Sequence, residues 1–101
     1  MFFFSCSNKN SFVGSWDVFE DGYKTEWVIT FSTNNTLDIK SARDPIIGTW
    51  EVVNESLLCL QWEEDQDIVL NCGEYNWLNE NMLILDLEES LRSTFTLKRK
   101  N

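Results

Sequence analysis

Histidine is absent from this chain. The usual general base is therefore missing, as are the Ser–His and Cys–His nucleophile pairs and the commonest transition-metal ligand. Basic residues are scarce: eight Lys and Arg stand against 17 Asp and Glu, for a formal charge of −9. With no basic stripe, binding to nucleic acid or to an anionic membrane surface is disfavoured. The four glycines form no phosphate-cradling loop, and there is a single proline. No segment approaches the roughly 20 apolar residues that span a bilayer as a helix. At 101 residues the chain has the length of one domain.

Aromatic side chains are abundant: five Trp, seven Phe and two Tyr. A domain this small buries a modest fraction of its surface, so its core must be dense in large side chains. These residues fall in short runs with a period of two, the signature of half-buried strands. Phe12, Gly14, Trp16 and Val18 share one face; Trp27, Ile29 and Phe31 share another. The pattern returns at Leu37 and Ile39, at Ile46, Gly48, Trp50 and Val52, and at Leu58, Leu60 and Trp62. A longer stretch, 68–78, is interrupted by Gly73, where a bulge or bend is expected. Leu83, Leu85 and Leu87, then Phe95, Leu97 and Arg99, complete the series.

Turn signals separate these runs. Asp21-Gly22 is the strongest, and Asn34-Asn35 can take the left-handed conformation that short turns need. Asp44-Pro45 is another break; Asn54-Glu55, Asp65-Gln66, Asn79-Glu80 and Glu89-Ser90 are weaker ones. The pattern predicts about eight strands of six to eight residues and no helix. Sequential hairpins give an up-and-down antiparallel barrel, which leaves no free edge. A β-sandwich satisfies the same alternation.

The first eleven residues, MFFFSCSNKNS, read differently. Apolar residues, a small residue and then Cys6 resemble the lipobox of bacterial lipoproteins, in which the cysteine is lipidated and becomes the first mature residue. The resemblance implies lipid on Cys6, residues 7–11 as a tether, a barrel over 12–101, and a place in the bacterial cell envelope, outer-membrane-anchored or periplasmic. Only Phe2 to Phe4 precede Ser5, short of the 7–15 apolar residues of a full signal. The alternative is a hydrophobic strand end with an ordinary thiol. With Cys6 set aside, Cys59 and Cys72 remain. A two- or four-residue turn around Asp65-Gln66 puts them directly opposite each other, within reach of a disulfide. Two buried free thiols are the other reading.

One motif occurs twice: FVGSWDV from Phe12 and IIGTWEV from Ile46. Glycine lets a strand bend or lets another backbone approach, and the Trp two positions on fills a large volume on the same face. Gly14-Ser15-Trp16, Val28 to Phe31, Gly48-Thr49-Trp50 and Thr96 to Arg99 together resemble the short lipocalin-like domains of bacterial lipoproteins, within the lipocalin and fatty-acid-binding superfamily. The resemblance implies that Trp16 plugs one end of the barrel and that an Arg of the last strand covers it, Arg99 first and Arg92 second. The two copies fall on the first and fourth strands. Those strands run in opposite directions, so Trp50 is expected at the opposite end from Trp16.

The acidic run 63–67 lacks the glycine and the spaced glutamate of an EF-hand loop, and reads as a solvated hairpin rather than a metal site. No catalytic residue, metal or cofactor is assigned. The expected function is a non-enzymatic envelope lipoprotein binding a small apolar ligand in a cavity lined by Trp27, Phe31, Trp50, Trp62 and Trp77. The alternative is a protein-binding barrel, such as a periplasmic inhibitor of a basic lysozyme or protease, whose acidic loops steer the partner.

Overall fold

The computed structural model describes residues 12–42, 45–87 and 93–100. Eight strands follow one another: β1 (Gly14–Glu20), β2 (Tyr23–Phe31), β3 (Thr36–Lys40), β4 (Ile46–Asn54), β5 (Leu57–Glu64), β6 (Asp67–Asn79), β7 (Met82–Leu87) and β8 (Ser93–Arg99). Each pairs antiparallel with its neighbours, and β1 pairs with β8. The sheet closes as an up-and-down barrel, and the sandwich is excluded. Cys6, Arg92, Asp44 and the Glu89-Ser90 turn lie outside the described residues.

Alternation sets the inside and the outside. Trp16, Val18, Ile29, Phe31, Leu37 and Ile39 point inward, as do Trp50, Leu58, Leu60, Leu83, Leu85 and Leu97, all nearly inaccessible to solvent. Burying such side chains stabilises the fold by about 1.5–3 kcal/mol each. The strands run from five to 13 residues, a wider spread than the sequence pattern predicts. The longest is β6, which passes through Gly73 in unbroken register, opposite Leu58 on one side and Leu87 on the other. The expected bulge is absent. Gly73 is instead a point of close approach: a Cβ there would fall 2.2 Å from the Asp86 carbonyl oxygen. Gly48 has the same role, with the Gln61 carbonyl oxygen 2.0 Å from a Cβ position.

The turns are tight. Asp21-Gly22 and Asp65-Gln66 both adopt positive φ at each residue, as two-residue hairpins require. Two other turns sit one residue later than the sequence predicts. Asn54 Oδ1 accepts from the Ser56 N–H at 2.9 Å, and Asn79 Oδ1 from the Asn81 N–H at 2.8 Å. Each asparagine thus ends its strand and folds the next two residues into the turn.

Cys59 and Cys72 form a register pair on β5 and β6 and are joined by a disulfide, with Cα atoms 4.0 Å apart. They lie on the outer wall, since Leu58, Leu60, Asn71 and Gly73 are the buried residues on these strands. Among the described residues the β7 pairing begins at Gly73, and 67–72 pair only with β5. The bond therefore clamps the β5–β6 hairpin between the core and its turn. Replacing both cysteines with alanine should lower stability by about 2–3 kcal/mol, from the entropy of the freed loop, in urea unfolding. A double variant as stable as the parent would contradict the clamp.

Candidate functional site

The barrel has two unlike ends. At one end lie the start of β1 and the β2–β3, β4–β5 and β6–β7 turns; at the other, the β1–β2 and β5–β6 turns.

The first end is closed by aromatic side chains. Gly14 opens β1 at φ +132°, a conformation that side-chain-bearing residues rarely adopt. The chain before it turns across the end of the barrel, and Phe12 enters the core fully buried. Its ring centroid lies 5.0 Å from those of Tyr75 and Trp77, 5.7 Å from Phe31 and 5.9 Å from Trp50. Edge-to-face and tilted contacts of this kind add about 0.5–1.5 kcal/mol to simple burial. The polar handles are satisfied locally. Trp16 Nε1 donates to the Phe12 carbonyl at 2.9 Å, and Trp50 Nε1 to the Ser32 carbonyl at 3.1 Å. The Tyr75 hydroxyl donates to the Asn54 carbonyl at 3.0 Å. Burial, and secondarily the Glu55 carboxylate, raises the Tyr75 pKa above its ordinary 10.0, so the donor persists throughout neutral pH.

Arg99 covers this plug. Its guanidinium carbon sits 4.2 Å from the Trp16 ring centroid. Nη1 donates to the Val13 carbonyl at 3.0 Å, Nη2 to the Glu80 carbonyl at 3.0 Å, and Nε to Asn81 Oδ1 at 3.2 Å. One side chain therefore joins the segment before β1, the β6–β7 turn and β8. A Cβ on Gly14 would fall 3.0 Å from Nη1, so the glycine also makes room for the guanidinium.

Two expectations are corrected here. Trp50 does not sit opposite Trp16; both pack around Phe12 at the same end. Although β1 and β4 run in opposite directions, Trp16 is the third residue of β1 and Trp50 the fifth of β4, so the two Gly-x-Trp units point toward a common level. Nor do the five proposed cavity residues share one cavity. Phe31, Trp50 and Trp77 belong to the plug.

Trp27 and Trp62 lie at the other end, in the wall of an apolar recess. Its deep wall includes Val18, Ile39, Leu60 and Leu85, all buried. Trp27, Trp62 and Phe95, each partly exposed, form its mouth. The recess holds about 30 Å³, space for one or two water-sized groups. The Trp62 indole N–H is shielded from solvent and has no acceptor among the described residues.

Acidic side chains stand at two turns of this end, while exposed Lys40 ends β3 beside them. Glu20 and Asp21 flank the β1–β2 turn; Glu63, Glu64, Asp65 and Asp67 form the β5–β6 turn. Among the described residues none of the six has an ion-pair partner: Lys24 and Lys100 both pair with Asp17, at 3.8 Å. No group of three or more His, Cys, Asp and Glu among the described residues could hold a metal ion.

Sequence reasoning missed Phe12 as the centre of the plug, because the period-two run extended β1 through it. The signal was Gly14, which breaks the strand between Phe12 and Trp16. Phe95 was placed on an inward face but not at the mouth; only barrel closure brings it near Trp27 and Trp62.

No protein-family model matches the chain, and no curated protein matches it significantly.

Replacing Arg99 with glutamine should destabilise the protein by about 1–3 kcal/mol, through loss of the ring contact and of charge-assisted hydrogen bonds. Arg99→Lys should recover less than half, because an ammonium cannot reach three acceptors in one plane. Equilibrium urea unfolding measures both. A glutamine variant as stable as the parent would show that the plug needs no cover.

Proposed function

We propose that this protein is a non-enzymatic lipoprotein of the bacterial cell envelope, with a small lipocalin-like barrel that binds an apolar group at its open end. The observation that carries the reading is the contrast between the two ends. Phe12, Trp16, Trp50, Tyr75 and Trp77 close one end, with the polar atoms of Trp16, Trp50 and Tyr75 satisfied. The other end leaves an apolar recess whose mouth exposes aromatic surface; Trp27 alone is 40% exposed. Partly exposed aromatic side chains beside a concave apolar floor are a common form of binding site.

The small volume limits the occupant. At about 30 Å³ the recess takes a methyl group, part of a ring or the end of a chain, with the rest lying against Trp27, Trp62 and Phe95. The path of the chain gives the orientation. It enters the barrel at the closed end through Phe12, six positions after Cys6. A lipid on Cys6 would hold the closed end toward the membrane and turn the recess away from it. Stacking of Arg99 on Trp16 supports the lipocalin-like reading, since that superfamily covers its first-strand tryptophan in this way.

Two measurements test the proposal. Expressed in a bacterial host, the full-length chain should partition into the detergent phase on Triton X-114 separation, and Cys6→Ala should move it to the aqueous phase; unchanged partitioning removes the lipid anchor. A neutral apolar fluorophore, N-phenyl-1-naphthylamine, should bind saturably and quench tryptophan emission, with about tenfold weaker affinity in the Trp27→Ala, Phe95→Ala double variant, which loses part of the contacting apolar area. Absence of saturable binding removes the open end as a site.

A further inference from the structure

We infer that the open end receives a basic polypeptide segment, one of whose aromatic or branched aliphatic side chains enters the recess while flanking Lys or Arg side chains meet the acidic rim. This rests on the reading of the open end as the binding site and adds the class of partner.

Three observations converge on it. First, the recess is too small for a free ligand to be enclosed. About 30 Å³ accommodates a few heavy atoms, so most of any occupant stays outside and contacts the rim. An isolated small molecule held by so few atoms would bind weakly, because affinity per atom has a ceiling. A polypeptide supplies its remaining contacts beyond the recess.

Second, the rim is acidic on both sides of the mouth. Glu20 and Asp21 stand at the β1–β2 turn, and Glu63, Glu64, Asp65 and Asp67 at the β5–β6 turn, with no ion pair to any of them among the described residues. Lys24 on β2 is engaged with Asp17 on the outer wall, and Lys40 at the end of β3 is one cation against these six carboxylates. Unpaired like charges on two projecting turns repel each other and an anionic ligand such as a fatty acid. They attract a cationic partner and raise its rate of encounter. Placed next to apolar surface, they select for a chain that alternates cationic and apolar side chains.

Third, the mouth is built of aromatic rings, those of Trp27, Trp62 and Phe95. Trp27 and Phe95 offer ring surface for the occupant's side chain and, at their faces, for a guanidinium or ammonium.

The test uses three fluorescein-labelled peptides of five residues, measured by anisotropy against the full barrel: four lysines around a phenylalanine, the same peptide with alanine at the centre, and the phenylalanine peptide with glutamine for every lysine. The first should bind saturably. The alanine and glutamine peptides should each bind at least about tenfold more weakly, through loss of the apolar anchor and of the charges respectively. Raising sodium chloride from about 50 mM to about 500 mM should weaken the first peptide by a similar factor. A Glu63→Gln, Glu64→Gln, Asp67→Asn variant should lose most of the affinity while keeping its far-ultraviolet circular dichroism and its binding of N-phenyl-1-naphthylamine, since these three side chains are exposed.

Equal affinity for the lysine and glutamine peptides would overturn the inference, and so would equal affinity for the phenylalanine and alanine peptides. If N-phenyl-1-naphthylamine binds and no peptide does, the open end remains a site and the basic partner is excluded. If neither binds, both readings fall together.

Discussion

Arg99 lying over Trp16 is the contact on which the rest of the barrel is organised. It sits where the last strand meets the first, with the guanidinium carbon 4.2 Å from the ring centroid. Its three donor contacts reach Val13 before the first strand and the adjacent Glu80 and Asn81 of the β6–β7 turn, far from Val13 in sequence. Ring closure in an up-and-down barrel is the most non-local step of the fold, because the first and last strands must find each other. A planar cation with several fixed donors suits that junction better than apolar packing alone, since its geometry specifies one register. Beneath it the Phe12 carbonyl holds the Trp16 indole, and Phe12 in turn holds Trp50, Tyr75 and Trp77.

This one-sided closure explains the uneven distribution of aromatic residues. Three of the five tryptophans and the buried Phe12 and Phe31 gather at the plugged end. A short barrel of eight strands has room for little more than its own side chains. Once one end is plugged with rings, the branched aliphatic residues of the middle complete the core, and Trp27, Trp62 and Phe95 fall at the mouth. The disulfide belongs to the same division. It secures the β5–β6 hairpin between the core and its turn, which keeps Trp62 and the acidic turn in place at the open end.

The fold was legible in the sequence because each strand obeys one rule. Alternation at Leu58-Leu60-Trp62 and Leu83-Leu85-Leu87, with Asp21-Gly22 and Asp65-Gln66 between runs, leaves little freedom in strand number or order. The register of Cys59 against Cys72 followed from an even turn length, two or four residues, around Asp65-Gln66. The ends were less legible. Strand direction alone placed Trp50 opposite Trp16, but the level of a side chain also depends on how far along its strand it lies and on the stagger of the closed sheet. Gly73 looked like a defect in a strand, whereas its role depends on a neighbouring backbone that is adjacent only in three dimensions. The division of Trp27, Phe31, Trp50, Trp62 and Trp77 between plug and mouth is likewise a property of the closed barrel.

The proposed function depends on the two ends being different in kind, one sealed and one receptive. The indole N–H resonances of the five tryptophans report on this directly, because Trp16, Trp50 and Trp77 lie in the plug and Trp27 and Trp62 at the mouth. In a titration of the ¹⁵N-labelled protein with the lysine–phenylalanine peptide or with N-phenyl-1-naphthylamine, followed by heteronuclear correlation spectra, the Trp27 and Trp62 indole signals should move and those of Trp16, Trp50 and Trp77 should stay in place. Movement of the plug signals with those of the mouth unchanged would contradict the account.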